Sequence, residues 1–215
     1  MGTLDAAAQP VSSALVRRHG RTQRAAHWWI VVAFVATVLD SPEEADGLDA
    51  GLILHISTAG LLLLGVLGVV VLGDRRALAA DLRSLMVFDD TDRAFLRSLR
   101  RPRTERRPVR WGKFNTGQKA AAWVLAVLVL GIFVTGVGAA ALGLGGVHGA
   151  VLMLTYAVLA GHVVMAVLNP ATRPALRGML TGAVDRAWAT HHHPAWVAQV
   201  DAVSAHSQGT SSTPS

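Results

Sequence analysis

HGAVLMLTYAVLAGHVVMAVL (148–168) holds two histidines fourteen residues apart in a stretch without a charged residue. On a helix each residue turns 100° and rises 1.5 Å, so His148 and His162 point within about 40° of each other, roughly 21 Å apart along the axis. An imidazole in hydrocarbon is costly and is usually kept for a function. One helix can therefore present one ligand at each of two levels of a membrane. His27 and His55 also lie in or at the ends of apolar stretches, which supplies one further histidine for each level.

The whole chain suits a membrane. Of its 215 residues 52% are hydrophobic and 16% charged, and the apolar residues come in blocks rather than in alternation. Four spans are expected, at about 25–39, 52–72, 120–144 and 148–168. A span needs roughly 20 apolar residues to cross a 30 Å core. The last three reach that length, and the first gains it from the polar but helix-compatible flank before His27. The adjacent Trp28 and Trp29 suit a membrane interface. The expected fold class is all-α, an integral membrane four-helix bundle over 17–200. Residues 1–16 and the tail 201–215, Ser/Thr-rich from 207, are expected to be disordered. The first apolar run leads into further spans and lacks a small-residue cleavage pattern, so no cleavable signal is expected. The sequence has no cysteine, which excludes disulfides, iron–sulfur clusters and thiolate-attached haem on this chain.

Charge gives the sidedness. Arg17, Arg18, Arg21 and Arg24 precede the first span, and the connection DSPEEADGLDA (40–50) has five acids and no base. The connection 73–113 carries eleven arginines and Lys113 against six acids, and Arg173, Arg177 and Arg186 follow the last span. The basic segments fall on one side, which the positive-inside rule makes cytoplasmic. Both termini are therefore expected inside a bacterial cell membrane. A pI near 11 raises the question of nucleic acid, but topology accounts for the same charges, and no nucleic-acid partner is expected.

Sidedness then sets depth. The first helix runs outward and places His27 near the inner face. The second runs inward and places His55 near the outer face. The fourth runs inward as well, so His148 is outer and His162 inner. The pairs are His55 with His148, and His27 with His162, with no ligand left over. Two neutral imidazoles on one iron fill both axial positions and leave a centre that exchanges electrons instead of binding oxygen. Two b-type haems are the expected cofactors. Ala25, Ala26, Ala59, Gly60, Gly149, Ala150 and Gly161 flank the ligands and are small enough to admit a flat porphyrin, or simply to let helices pack closely. Arginines at the inner rim are candidate partners for haem propionates.

With these residues in view, the chain resembles the cytochrome b (gamma) subunit of membrane-bound respiratory formate dehydrogenases, within the di-haem prokaryotic cytochrome b superfamily. The resemblance runs from about residue 17 to 200. It rests on AHWWI (26–30), LHISTAGL (54–61), the His-x13-His pair of the fourth span, FNTGQKA (114–120) and GMLTGAVDRAWATHHHPAWV (178–197). The short acidic connection and the long arginine-rich one depart from the family. The resemblance implies an outer haem on His55 and His148, fed by an iron–sulfur subunit, and an inner haem on His27 and His162 that delivers electrons to membrane quinone. Behind the iron–sulfur subunit it implies a molybdenum- or tungsten-dependent catalytic subunit. It also makes Asn115 and Gly117, with Gln118 beside them, quinone-site candidates. A side-chain amide and a backbone N–H can both donate to a quinone carbonyl. The same Asn-Thr-Gly can equally be a turn and cap before the third span.

Related subunits of nickel–iron hydrogenases and of thiosulfate or polysulfide reductases share the helix plan, so those partners are the alternatives. A haem-free membrane anchor and a metal-ion transporter are alternatives of other classes. The transporter predicts acidic residues within the spans, and there are none. His191, His192 and His193 diverge by 100° each on a helix and precede Pro194, which fits an interfacial or subunit-docking segment better than a metal site. No role is assigned to His19 or His206.

Overall fold

The structure, a computed structural model, describes residues 14–39 and 50–211. Its frame is four long helices: α1 (Arg21–Leu39), α2 (Ala50–Leu72), α5 (Thr116–Leu142) and α6 (Gly145–Val167). α1 and α2 pack antiparallel. Trp29 Nε1 donates to the Leu62 carbonyl at 3.2 Å, and Thr22 Oγ1, about two turns earlier, accepts from the Asp74 N–H just past the end of α2. A Cβ on Gly65 would stand 1.9 Å from a Trp29 ring carbon. Only glycine lets the indole lie flat against α2. α5 and α6 form the second antiparallel pair, with Gly131 against Val151 and Thr135 against His148.

α2, Thr116–Ala139 of α5 and α6 are long and apolar enough to cross a membrane. Their outward faces carry large apolar side chains in the open: Leu64 is 65% exposed, Leu72 88% and Val137 73%. Such continuous apolar surface is incompatible with water as the surrounding medium. α1 is not among these three: its 19 residues begin with Arg21 and Arg24, so its apolar part is the shortest, as the sequence implies.

At one end of the bundle the basic segments meet. The connection 73–113 is structured: α3 (Arg75–Met86) starts on an Asp74 cap, α4 (Asp90–Ser98) starts on an Asp89/Asp92 capping box, and Arg103–Glu105 make one 3-10 turn. After α6 come α7 (Arg173–Thr181), α8 (Arg186–His192) and α9 (Pro194–Ser211). Strand β1 (Leu15–Arg17) pairs antiparallel with β2 (Ala183–Asp185), Val16 opposite Val184. Val16, Val184, Ala189, Trp196 and Val197 form the buried core of this end, with Trp188 and Val200 against it.

Three expectations change. The fold is helical with an added two-stranded ribbon, because Val16 finds an apolar slot between Val184 and Trp196. For the same reason Leu15 and Val16 belong to a strand and not to a disordered leader. The tail is helical to Ser211, since α9 begins with Pro at its first position and continues through Ala195, Ala198, Ala202 and Ala205, all strong helix formers. The acidic connection, residues 1–13 and residues 212–215 lie outside the described residues.

Candidate functional site

α1 and α6 bring two of the four candidate histidines together. The rings of His27 and His162 stand with centroids 6.5 Å apart, tilted 53° to each other. Two imidazoles that each held one first-row metal at about 2.0 Å would have centroids no more than about 6.3 Å apart. The observed spacing lies close to that limit and is too wide for a direct hydrogen bond. His148, at the start of α6, lies within electrostatic reach of His55 on α2. Between the two levels Phe34 of α1 and Tyr156 of α6 meet edge to face, 6.3 Å apart.

His148 is held in one tautomer. Thr135 Oγ1 on α5 donates its single proton to the Gly131 carbonyl at 2.7 Å and stands 3.1 Å from His148 Nδ1. With that proton committed, the hydroxyl accepts, so Nδ1 carries the hydrogen and Nε2 keeps the lone pair that binds metal. Gly136 makes room for the ring, since a Cβ there would come within 3.3 Å of His148 Cε1. Sequence reading passed over Thr135. Its signal was a hydroxyl in an apolar span thirteen residues before His148.

These two-histidine sets fit a b-type haem, whose porphyrin supplies the remaining four nitrogens. A metal held by protein alone would need more ligands, and no cluster of three His, Cys, Asp or Glu occurs among the described residues. Residues 18–182 match the prokaryotic cytochrome b561 family. The chain belongs to that family. No curated protein matches it. This prokaryotic cytochrome b561 is thus a multi-pass bacterial membrane protein, a cytochrome b of electron transfer that carries b-type haem.

The cytochrome's third-span motif is a helix cap. Asn115 Oδ1 accepts from the Gln118 N–H at 2.9 Å, and Gln118 Oε1 accepts from the Asn115 N–H at 3.0 Å. Both amide oxygens are consumed, so the two NH2 groups are the ends left to donate outward. Asn115 and Gln118 line a cavity of about 190 Å³ together with Trp111, Trp188 and the histidine triplet. Gly117 is not part of its wall; it lies in the first turn of α5 against Asn115 Oδ1. Position 119, which looks like the charged end of a span, is instead buried: Lys119 Nζ bonds Asp92 Oδ2 at 2.5 Å and Asp89 Oδ2 at 3.1 Å, and Asp92 Oδ1 accepts from the Thr116 hydroxyl at 2.6 Å. This knot fixes the mouth of α5 to α4.

The basic end of the cytochrome is keyed by Arg18, only 3% exposed. Its Nη2 donates to the Lys113 carbonyl at 2.6 Å, and its guanidinium lies over the rings of Phe114, Trp188 and Trp196 at 5.3–5.9 Å. Burial pulls its pKa down to about 10, against the opposing pull of Asp81. His19, without a role in the sequence, is buried beside it, Nδ1 4.0 Å from Asp81 Oδ2. Burial, then Lys113, Arg18 and His27, bring that imidazole down to about 3. His193 is buried as well and donates from Nδ1 to the Gly112 carbonyl at 2.7 Å. Burial holds it at about 4. His206 lies exposed on α9.

Proposed function

We propose that this cytochrome is the membrane subunit of a respiratory formate dehydrogenase, anchoring the complex and conducting electrons from a partner iron–sulfur subunit to membrane quinone. The rings of His27 and His162, 6.5 Å apart, carry the reading. His27 and His162 hold the inner haem, and His55 and His148 the outer one. The basic end, where the arginines of three segments gather, supports four spans with both termini in the cytoplasm. A bis-imidazole haem supplies one-electron exchange without an open site for oxygen.

The protein's own part is placement. α6 fixes the vertical separation of the two sites through the fourteen-residue interval between its histidines. Thr135 orients His148, and Gly136 leaves room for it. At the inner end Asn115 and Gln118 offer amide donors to a quinone carbonyl, in a cavity open to cytoplasmic protons. Electrons entering outside while protons are taken from inside move charge across the membrane. The partners are an iron–sulfur subunit docked outside and a molybdenum- or tungsten-dependent catalytic subunit beyond it.

Pyridine haemochrome analysis of the purified chain, with a reduced-minus-oxidised spectrum, tests the cofactor content. Two haems b per chain are expected, and one or none overturns the reading. Co-purification with a nickel–iron hydrogenase or a sulfur-compound reductase would keep the electron path and replace formate as the donor's substrate.

A further inference from the structure

The histidine triplet and the Asn115 motif are separated by about 75 residues and share one cavity. Reduction of a quinone to a quinol consumes two electrons and two protons. The amides of Asn115 and Gln118 can orient a carbonyl but cannot release a proton at neutral pH. Among the residues lining the cavity there is no Asp, Glu, Lys or Arg; its titratable groups are His191, His192 and His193.

The three differ in what they can do. His193 is buried and tied to Gly112, and burial keeps it neutral. His191 is exposed and meets the His192 ring edge-on, 4.7 Å between centroids. His192 is half-buried, stacked on Trp188 at 5.0 Å, with Nδ1 3.1 Å from the Trp188 carbonyl. A carbonyl only accepts, so Nδ1 carries a hydrogen, and Nε2 is the ring nitrogen not used by that bond. The Arg18 guanidinium lies over the Trp188 and Trp196 rings as well, 5.5 and 5.3 Å from their centroids. Imidazole is the side chain suited to pass protons near physiological pH.

We propose that His192 is the proton donor to a quinone held by Asn115 and Gln118, and that His191 re-protonates it from the cytoplasm. The inference rests on the quinone reading of this cavity. In balance, the quinone takes two electrons, which b-type haem would supply one at a time, and two protons: one passes from His192 Nε2 to the quinone oxygen beside it and is replaced from water through His191, and the other comes from water at the opposite oxygen. Quinol leaves. No bond to carbon forms or breaks.

The test uses the full-length, haem-loaded cytochrome, reduced with dithionite and mixed with menadione or a decyl-substituted benzoquinone. Haem reoxidation is followed by stopped flow, and quinone binding separately by quenching of the lining tryptophans. His192→Gln keeps a donor but cannot relay a proton. It should bind quinone with an unchanged quench and slow reoxidation by about 100-fold, the low end of general acid–base catalysis. His192→Ala should be equally slow and recover with added imidazole, which a merely structural role would not allow. Asn115→Leu should lose the quench itself. Normal reoxidation in His192→Gln, or no imidazole rescue of a folded His192→Ala, overturns the proposal while Asn115→Leu still shows the loss. If Asn115→Leu binds and reoxidises like the parent, the quinone reading falls, and this proposal with it.

Discussion

Replacing Lys119 by methionine takes the ammonium out of the knot between α4 and α5 and leaves the Asp92 carboxylate behind. The Asp92 side chain is 1% exposed and that of Lys119 5%, so water cannot take over. Removing one partner of a buried pair costs about 3–5 kcal/mol. Asp92 retains two neutral donors, the Thr116 hydroxyl at 2.6 Å and the Asp89 N–H at 2.9 Å, which places the cost at the low end, about 3 kcal/mol. Asp92→Asn leaves Lys119 with Asp89, whose side chain is 58% exposed, and should cost about 2 kcal/mol. The double variant removes both charges together and should lose less than the sum by about 2 kcal/mol. Thermal unfolding in detergent, followed by circular dichroism for the helices and by tryptophan emission for the α3–α5 junction, reads all three. Trp123 reports that junction because its Nε1 donates to the Met86 carbonyl at 2.8 Å. A Lys119→Met protein within about 0.5 kcal/mol of the parent, or an additive cycle, would refute the account.

Other outcomes are equally specific. His27→Ala and His162→Ala should remove the same haem band, and His55→Ala and His148→Ala the other; cross-pairing would falsify the depth assignment. Thr135→Val removes one of two acceptors at His148, leaving the Ile132 carbonyl, and should raise the potential of a haem held there by roughly 20–60 mV, the electrical equivalent of about 0.5–1.5 kcal/mol at 59 mV per 1.4 kcal/mol. Thr135→Ser should restore it in a redox titration, and an unshifted Thr135→Val would remove Thr135 from the ligand's support. His19 and His193 have folded pKa values near 3 and 4, below the ordinary 6.5, so the unfolded chain binds their protons first. Stability should therefore be level above pH 6.5 and fall as pH drops from there toward 3. A His19→Asn/His193→Asn variant with an equally steep acid loss would show that other groups govern it.

The spans were legible because lipid imposes a length and a composition on them. The expected 52–72 and 148–168 are α2 (Ala50–Leu72) and α6 (Gly145–Val167) to within three residues. α5 starts four residues before the expected 120 because Lys119, which reads as the end of an apolar run, is neutralised by two aspartates 27 and 30 residues away. Nothing local announces that pairing. Spacing and depth in the sequence pointed to four histidines, and the structure brings two of them, His27 and His162, to 6.5 Å between ring centroids; the Asn115 motif proved to be a cap whose remaining amide protons line a cavity. The ribbon was not readable. Three residues on each side carry no period, and their partners are chosen by the tryptophan cluster that receives Val16. His19 escaped notice for a related reason: its burial comes from Asp81, Lys113 and Phe114, distant in the chain.

The pairing of β1 with β2 has a consequence for how the protein is made. Leu15–Arg17 leave the ribosome early, yet their partner Ala183–Asp185 follows every apolar helix. At 5–20 residues per second, about 170 residues of synthesis separate them by roughly 10–30 s. During that interval the first segment has no partner, and Arg18 has no Trp188 or Trp196 to rest on. The ribbon therefore acts as a latch that closes only after the last helix has entered the membrane. Until it closes, Arg18, buried in the finished fold, stays exposed.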